Sequence, residues 1–143
     1  MVQPLRLVLV EDSEADIETV SRAVDQLAVD LELEIIRDGV TARDRFFSGC
    51  EQSPTERDPD LIILDLNLPG VDGRTFLREL NDSRVLSDVP IVVLTTSKKQ
   101  EDVTRAYRNG ASAYIIKPGN INEYIERIQS LCEYWLQTNF RDS

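Results

Sequence analysis

Short apolar runs alternate along the chain with longer segments in which apolar residues recur every three or four positions. The short runs have the length of strands that are buried on both faces of a sheet. The longer segments have the spacing of one apolar helix face. The predicted strands are Leu5–Val10, Leu31–Ile36, Leu61–Leu64, Ile91–Leu94 and Ala113–Ile116.

A helix is predicted after each of these strands. The helices are expected, in chain order, to follow the capping residue Ser13, to cover Thr41–Phe47, to contain Phe76–Leu80, to end at Asn109-Gly110, and to cover about 121–140. The polar, proline-containing segment 51–60 is predicted to be a loop.

This order of elements predicts the architecture. Strands that alternate with helices, without hairpin turns between them, form a parallel sheet with helices on both faces. We therefore predict an α/β fold of three layers, doubly wound, with five parallel strands and five helices. The length of 143 residues favours one domain over 1–143. Such open sheets carry their functional residues beyond the C-terminal ends of the strands.

Composition narrows the possible functions. The formal net charge is -10, which disfavours direct binding to DNA or to an anionic membrane surface. No apolar run approaches the length of about 18 residues that a membrane span needs, and we expect a cytoplasmic protein. The absence of histidine excludes Ser/His and Cys/His nucleophile pairs and His-ligated zinc within the chain. The two cysteines are expected to be reduced thiols.

Polar residues follow four of the predicted strands. Glu11 and Asp12 follow the first strand, Asp65 the third, Thr95 the fourth and Lys117 the fifth. Each residue alone could be an ordinary polar group on a solvated rim. Because parallel strands end at the same edge of a sheet, we expect the five side chains to lie together.

Three neighbouring carboxylates need more positive charge than one lysine supplies. Each pair of like charges at about 4 Å costs on the order of 4 kcal/mol at an effective dielectric constant of about 20. A divalent cation offsets this repulsion. A small set of oxygen ligands favours Mg²⁺, with Mn²⁺ as a possible substitute.

Four segments together carry a family resemblance: VLVEDSEAD, LDLNLPGVDG, LTTS and AYIIKP. In this order and spacing, the chain resembles the receiver domain of two-component response regulators from Leu5 to about Leu131. The resemblance implies a flavodoxin-like fold. It also implies a signalling module rather than an enzyme with an external substrate: Asp65 would take a phosphoryl group from the phosphohistidine of a sensor histidine kinase, and the module would catalyse only its own phosphorylation and dephosphorylation.

The resemblance also implies roles for the other polar residues. The metal ligands would be Glu11, Asp12, Asp65 and the main-chain carbonyl of Asn67. Lys117 would pair with one phosphoryl oxygen, and the Thr95 hydroxyl would donate to another. Movement of Thr95 would let Tyr114 turn inward and change the face formed by the fourth helix, fifth strand and fifth helix. Asn67 and Ser97 would set the lifetime of the acyl phosphate.

Two further expectations concern the fifth strand and the tail. In receivers the bond between the lysine and the following proline is commonly cis, which predicts a cis Lys117–Pro118 peptide. The aromatic ending of the last helix suggests a dimer contact through Tyr134, Trp135 and Leu136, although packing within one protomer would also explain Trp135. The long loop, the Arg84–Ser97 segment and this ending are similar to stand-alone regulators of cyanobacterial and bacterial phytochromes. A phytochrome-type kinase and a homodimer are therefore expected.

Other classes fit the same architecture less well. A dinucleotide- or flavin-binding protein needs a glycine-rich loop after its first strand, where this chain has Glu11-Asp12-Ser13-Glu14. A Mg²⁺-dependent aspartyl phosphatase would carry an acid at position 67, where this chain has Asn67. A docking module that works without phosphorylation and an intermediate of a phosphorelay remain open alternatives.

Overall fold

The computed structural model describes residues 4–47 and 58–138. Within these residues, five strands alternate with five α-helices, and a short π-helical segment, Glu133–Thr138, follows the last α-helix. The elements are β1 (Leu5–Val10), α1 (Glu14–Asp25), β2 (Leu31–Ile36), α2 (Gly39–Phe47), β3 (Leu61–Leu64), α3 (Gly73–Ser83), β4 (Ile91–Thr95), α4 (Gln100–Arg108), β5 (Ala113–Ile116) and α5 (Ile121–Cys132).

The five strands form one parallel sheet in the order β2-β1-β3-β4-β5. The strand order reverses at β1, so that β1 and β3 are neighbours at the centre of the sheet. The predicted doubly wound, flavodoxin-like fold is confirmed. The predicted strand bounds agree with the structure except that β4 continues by one residue and includes Thr95.

Capping residues and a glycine fix several of the helix boundaries. Ser13 begins α1 by accepting a hydrogen bond from the Asp16 N–H, and Asn120 begins α5 in the same way through Glu123. Gly110 follows α4 with a φ of +94°, and an added Cβ atom would lie 2.8 Å from Oδ1 of Asn81. Glycine is the residue that satisfies both the backbone conformation and the available space there.

Alternate residues of the strands point to two apolar layers. Val8 of β1 and Ile62 of β3 face one layer, which α2, α3 and α4 cover. Leu9 and Ile63 face the other layer, which α1 and α5 cover. The central strands are therefore buried on both faces, as their unbroken apolar runs predicted. No described helix is both long enough and apolar enough to cross a membrane.

The last helix, predicted over about 121–140, is an α-helix to Cys132 and continues as the π-helical segment Glu133–Thr138. The residues after 138 lie outside the described part. Leu136 is 5% exposed and packs in the apolar layer between the sheet and α1 and α5, so it is not available as a dimer contact. Trp135 is half-buried against the same layer, whereas Tyr134 is 57% exposed. Helical spacing alone could not tell the protomer's own core from a partner's surface.

The two cysteines were expected to be reduced. Cys132 is a free and fully buried thiol, and burial raises its pKa to about 12. Cys50 lies outside the described residues. The expectation is therefore met for Cys132 and stays a prediction for Cys50, as does the assignment of the entire chain to one domain.

Candidate functional site

Three carboxylates meet at the C-terminal edge of the central strands. Glu11 follows β1 and Asp65 follows β3, and both are nearly fully buried, whereas Asp12 is exposed. One oxygen atom from each of the three side chains lies within 4.8 Å of the other two. The structure therefore brings together the three acids that the strand-end pattern predicted.

Backbone hydrogen bonds fix the first residue after each of these strands. The Asp65 N–H donates to the carbonyl of Val10 at 3.0 Å, and the Glu11 N–H donates to the carbonyl of Ile36 at 2.9 Å. The side chains are held as well: the N–H of Asn67 donates to Asp65 Oδ1, and that of Ser13 to Glu11 Oε2, each at 3.3 Å. Hydrogen bonds to the sheet thus fix the backbone positions of Glu11 and Asp65, from which the two carboxylate side chains extend.

The turn after Asp65 depends on a close approach of the backbone. A Cβ atom on Gly73 would lie 2.3 Å from the main-chain oxygen of Asp65 and 2.7 Å from Cα of Leu66. These contacts are with backbone atoms, which could move aside only if the turn itself were distorted. Gly73 therefore allows α3 to begin directly beside the phosphoacceptor candidate, and its role is conformational.

Lys117 brings a positive charge to the cluster from the end of β5. Its Nζ lies 2.8 Å from Glu11 Oε1, 2.9 Å from Asp16 Oδ2 and 3.6 Å from Asp65 Oδ2. Asp16 is a residue that the sequence reasoning missed. It lies in the first turn of α1, directly after the acidic loop, and an acid at the start of a helix beside a predicted site is the signal that could have identified it.

The predicted cis peptide before Pro118 is wrong. No cis peptide bond occurs among the described residues, so Lys117–Pro118 is trans. A trans bond is favoured by about 0.5–1 kcal/mol before proline, and the Lys117 side chain reaches the carboxylates from this conformation. The ammonium group therefore reaches the carboxylates without the cis bond that the resemblance suggested.

The electrostatics of the cluster show a shortage of positive charge. Burial raises the pKa of Glu11 to about 7; the Lys117 ammonium opposes this shift and the Asp65 carboxylate adds to it. Burial acts to lower the pKa of Lys117, but its hydrogen bonds to Glu11 and Asp16 outweigh burial and raise it. Three acids lie within 3.6 Å of the Lys117 ammonium, Asp12 adds a fourth carboxylate to the cluster, and oxygen ligands suit a hard divalent cation. The residues present therefore fit such a cation.

Thr95 ends β4, and Tyr114 lies within the neighbouring strand β5. Thr95 is fully buried, and its Oγ1 accepts a hydrogen bond from the Ser97 N–H at 3.3 Å. Tyr114 is half-buried, and its hydroxyl donates to the Ser97 carbonyl at 3.0 Å. Ser97 therefore connects the two residues that were predicted to form a switch.

A second polar network was not predicted from the sequence. Arg74 of α3 donates from Nε and Nη2 to the two carboxylate oxygens of Asp102 in α4, each at 3.1 Å. The Ser97 hydroxyl donates to the same carboxylate at 2.5 Å. The bonds from Arg74 and then from Ser97 lower the pKa of Asp102 to about 2. Arg74 Nη1 also lies 3.4 Å from Asn67 Oδ1, so this network extends to the loop that follows Asp65.

Comparison with known proteins decides the family. The family model for the response regulator receiver domain matches residues 7–129. The chain belongs to this family. As a receiver domain, it is a signalling module of two-component systems, and the resemblance inferred from its sequence segments is confirmed.

Individual relatives refine this result. The receiver is 38% identical over 135 residues to response regulator Rcp1 of Synechocystis, covering 94% of this chain and 91% of that protein. The phosphorylated cyanobacterial phytochrome response regulator RcpA superposes with a TM-score of 0.89 at 35% identity, covering 99% of this chain and 100% of that one. The Mn²⁺-bound form of Rcp1 gives a TM-score of 0.88 at 36% identity, covering 98% and 100%. The predicted likeness to single-domain, phytochrome-associated regulators is confirmed.

Proposed function

We propose that this receiver accepts a phosphoryl group on Asp65 from the phosphohistidine of a sensor histidine kinase, in the presence of Mg²⁺. The observation that carries the proposal is the geometry around Asp65. Its carboxylate lies within 4.8 Å of oxygen atoms of Glu11 and Asp12, and the Lys117 ammonium lies 3.6 Å from its Oδ2 atom. A carboxylate beside a cation site and an ammonium group is suited to accept a phosphoryl group.

The proposed transfer is a displacement at phosphorus. An oxygen of Asp65 attacks the phosphorus atom, and the phosphorus–nitrogen bond of the donor breaks. The electron pair stays on the imidazole nitrogen, which takes a proton from solvent, and Asp65 carries an acyl phosphate. The chain contains no histidine, so the donor is a separate protein or a small phosphodonor.

The residues around Asp65 have separate tasks in this step. Glu11, Asp12, Asp65 and the main-chain carbonyl of Asn67 would hold the cation. When bound, Mg²⁺ supplies positive charge that offsets the charge of the phosphoryl oxygens. The Lys117 ammonium pairs with one phosphoryl oxygen, and the buried Thr95 hydroxyl donates to another. Mn²⁺ is a plausible substitute, supported by the Mn²⁺-bound form of Rcp1.

The proposed output is a change in protein–protein contact. When the Thr95 hydroxyl moves towards the phosphoryl group, it loses its hydrogen bond from the Ser97 N–H. The carbonyl of the same residue, Ser97, accepts a hydrogen bond from the Tyr114 hydroxyl. Tyr114, which is already half-buried against the layer under α2, α3 and α4, can then turn further inward and alter the face formed by α4, β5 and α5. This face exposes Tyr107 and Ile121, which are each about half exposed. We propose that it forms a homodimer contact, with Tyr134 as a candidate contact beyond α5.

The proposed donor is a histidine kinase of the phytochrome type, and the proposed location is the cytoplasm. The support for this donor is the similarity, over nearly the full length of the chain, to regulators whose names refer to phytochrome. A purified phytochrome kinase labelled on its histidine would transfer its phosphoryl group to this receiver faster than an unrelated histidine kinase does. Equal transfer rates would contradict the pairing but not the chemistry at Asp65.

The site assignment is tested with a small phosphodonor. The protein is incubated with acetyl phosphate or phosphoramidate, with Mg²⁺ or with EDTA, and its intact mass is measured. We expect the gain of one phosphoryl group with Mg²⁺, no gain with EDTA, and no gain in Asp65→Asn. Asp82→Asn is a matched control, because Asp82 is an exposed acid on α3. Labelling of Asp65→Asn at the same stoichiometry would contradict the assignment.

A further inference from the structure

Two carboxylates hold the Lys117 ammonium group in the structure, and one of them is outside the acidic cluster. Nζ donates to Glu11 at 2.8 Å and to Asp16 at 2.9 Å. Asp65, at 3.6 Å, is beyond hydrogen-bonding distance. Glu11 belongs to the group of three acids that could hold a cation, whereas Asp16 comes from α1 and is not part of that group.

Asp16 is itself fixed in place. It lies in the first turn of α1, where its N–H donates to Oγ of the capping residue Ser13 at 3.3 Å. Burial acts to raise the pKa of Asp16, but the hydrogen bond from Lys117, the charge of Lys117 and smaller hydrogen-bond contributions together outweigh burial and lower the pKa, so the carboxylate stays ionised. A fixed, charged carboxylate is thus in contact with the ammonium on the side where α1 lies.

We propose that Asp16 is a positioning residue for Lys117. This inference rests on the proposed function, because it assigns Lys117 to a phosphoryl oxygen. An ammonium group has three N–H donors. When Glu11 ligates a cation, the cation competes with Lys117 for that carboxylate, whereas Asp16 is a carboxylate within hydrogen-bonding distance that lies outside the cation cluster. Asp16 then holds one donor while the others are free to meet the phosphoryl group.

A purely structural role for Asp16 gives different expectations. Acids in the first turn of a helix stabilise it through the helix dipole, whatever they contact. Glu14 is an acid in the same turn, but its side chain is exposed and pairs with Arg37 instead of Lys117. Glu14→Gln and Asp16→Asn therefore remove the same charge from the same helix turn, but only Asp16→Asn removes a charge that is in contact with Lys117.

The first test measures the reactivity of Lys117 and does not depend on phosphorylation. The chain has three lysines, and the exposed Lys98 and Lys99 are internal references. Reductive methylation is followed at each lysine by peptide mass spectrometry, after thermal melts have shown that each variant is folded. We expect Asp16→Asn to increase methylation of Lys117 several-fold relative to the two references, and Glu14→Gln to leave the ratio unchanged. An unchanged ratio in Asp16→Asn would overturn the proposal.

The second test measures phosphorylation by acetyl phosphate at saturating Mg²⁺. We expect Asp16→Asn to slow the reaction about tenfold, the order of factor expected for one charge-assisted hydrogen bond. In a Lys117→Gln background, Asp16→Asn should cause no further slowing, because the residue acts through Lys117. The same slowing in both backgrounds would overturn the proposal. If the wild-type protein takes up no phosphoryl group, the proposed function is contradicted, and the methylation ratio alone decides the role of Asp16.

Discussion

Replacing Glu11 by glutamine should stabilise the cation-free protein at alkaline pH. Glu11 is 1% exposed, and burial raises its pKa from 4.5 to about 7. One pKa unit corresponds to about 1.4 kcal/mol, so the ionised carboxylate lowers the free energy of unfolding by about 3 kcal/mol. Glutamine has nearly the same shape and keeps an oxygen that can accept from Lys117, but it has no charge to bury.

The sign of the pH dependence follows from proton binding. Between pH 4.5 and 7 the folded state holds the Glu11 proton and the unfolded state releases it. The free energy of unfolding of the wild-type protein therefore falls as pH rises through this range and is constant above it. The absence of histidine removes the side chain that usually dominates this range.

Urea unfolding followed by circular dichroism, in EDTA at pH 5 and pH 8, measures this effect. We expect Glu11→Gln to be more stable than wild type by about 3 kcal/mol at pH 8 and by less than about 1 kcal/mol at pH 5. Glu126→Gln, at an exposed position of α5, should match wild type at both values. Adding Mg²⁺ at pH 8 should stabilise wild type more than Glu11→Gln. Equal stability of wild type and Glu11→Gln at pH 8 would refute the reasoning.

Three other substitutions test the fold around the site, each by urea unfolding at pH 7. Asp102→Asn removes the charge that pairs with Arg74 and should lower the free energy of unfolding by about 1–2 kcal/mol; no change would show that the pair is too solvated to matter. Gly110→Ala combines a φ of +94° with a contact to Asn81 and should cost at least about 1 kcal/mol, which a neutral effect would contradict. Leu136→Ala should cost about 2–4 kcal/mol, whereas an exposed contact residue would cost little.

Much of the fold could be predicted because strands buried on both faces are unbroken apolar runs. Leu61–Leu64 is such a run, and its bounds in the structure equal those read from the sequence. The acids Glu11 and Asp65 could be placed together for a related reason: neighbouring parallel strands end at the same edge, so residues directly after them are close in any fold of this type. Prediction succeeded where a strand end determines the position of a side chain.

Prediction failed where a side chain reaches the site from a helix. Asp16 and Arg74 lie in the first turns of α1 and α3, and their partners depend on how those helices pack against the sheet. Arg74 and Asp102 are 28 residues apart, and no local pattern relates them. The segment after α5 is a second example. Helical spacing places Leu136 on an apolar helix face but does not show which surface that face covers. Packing between elements supplies the missing information.

The central claim is that Asp65 carries the phosphoryl group, and chemical trapping tests it most directly. Borohydride reduces an acyl phosphate of aspartate to homoserine, which tandem mass spectrometry locates in the sequence. After incubation with acetyl phosphate and Mg²⁺, the account predicts homoserine at position 65 and at no other acid, and none when EDTA replaces Mg²⁺. Homoserine at another position, or none at position 65 under conditions that label the protein, would contradict the account.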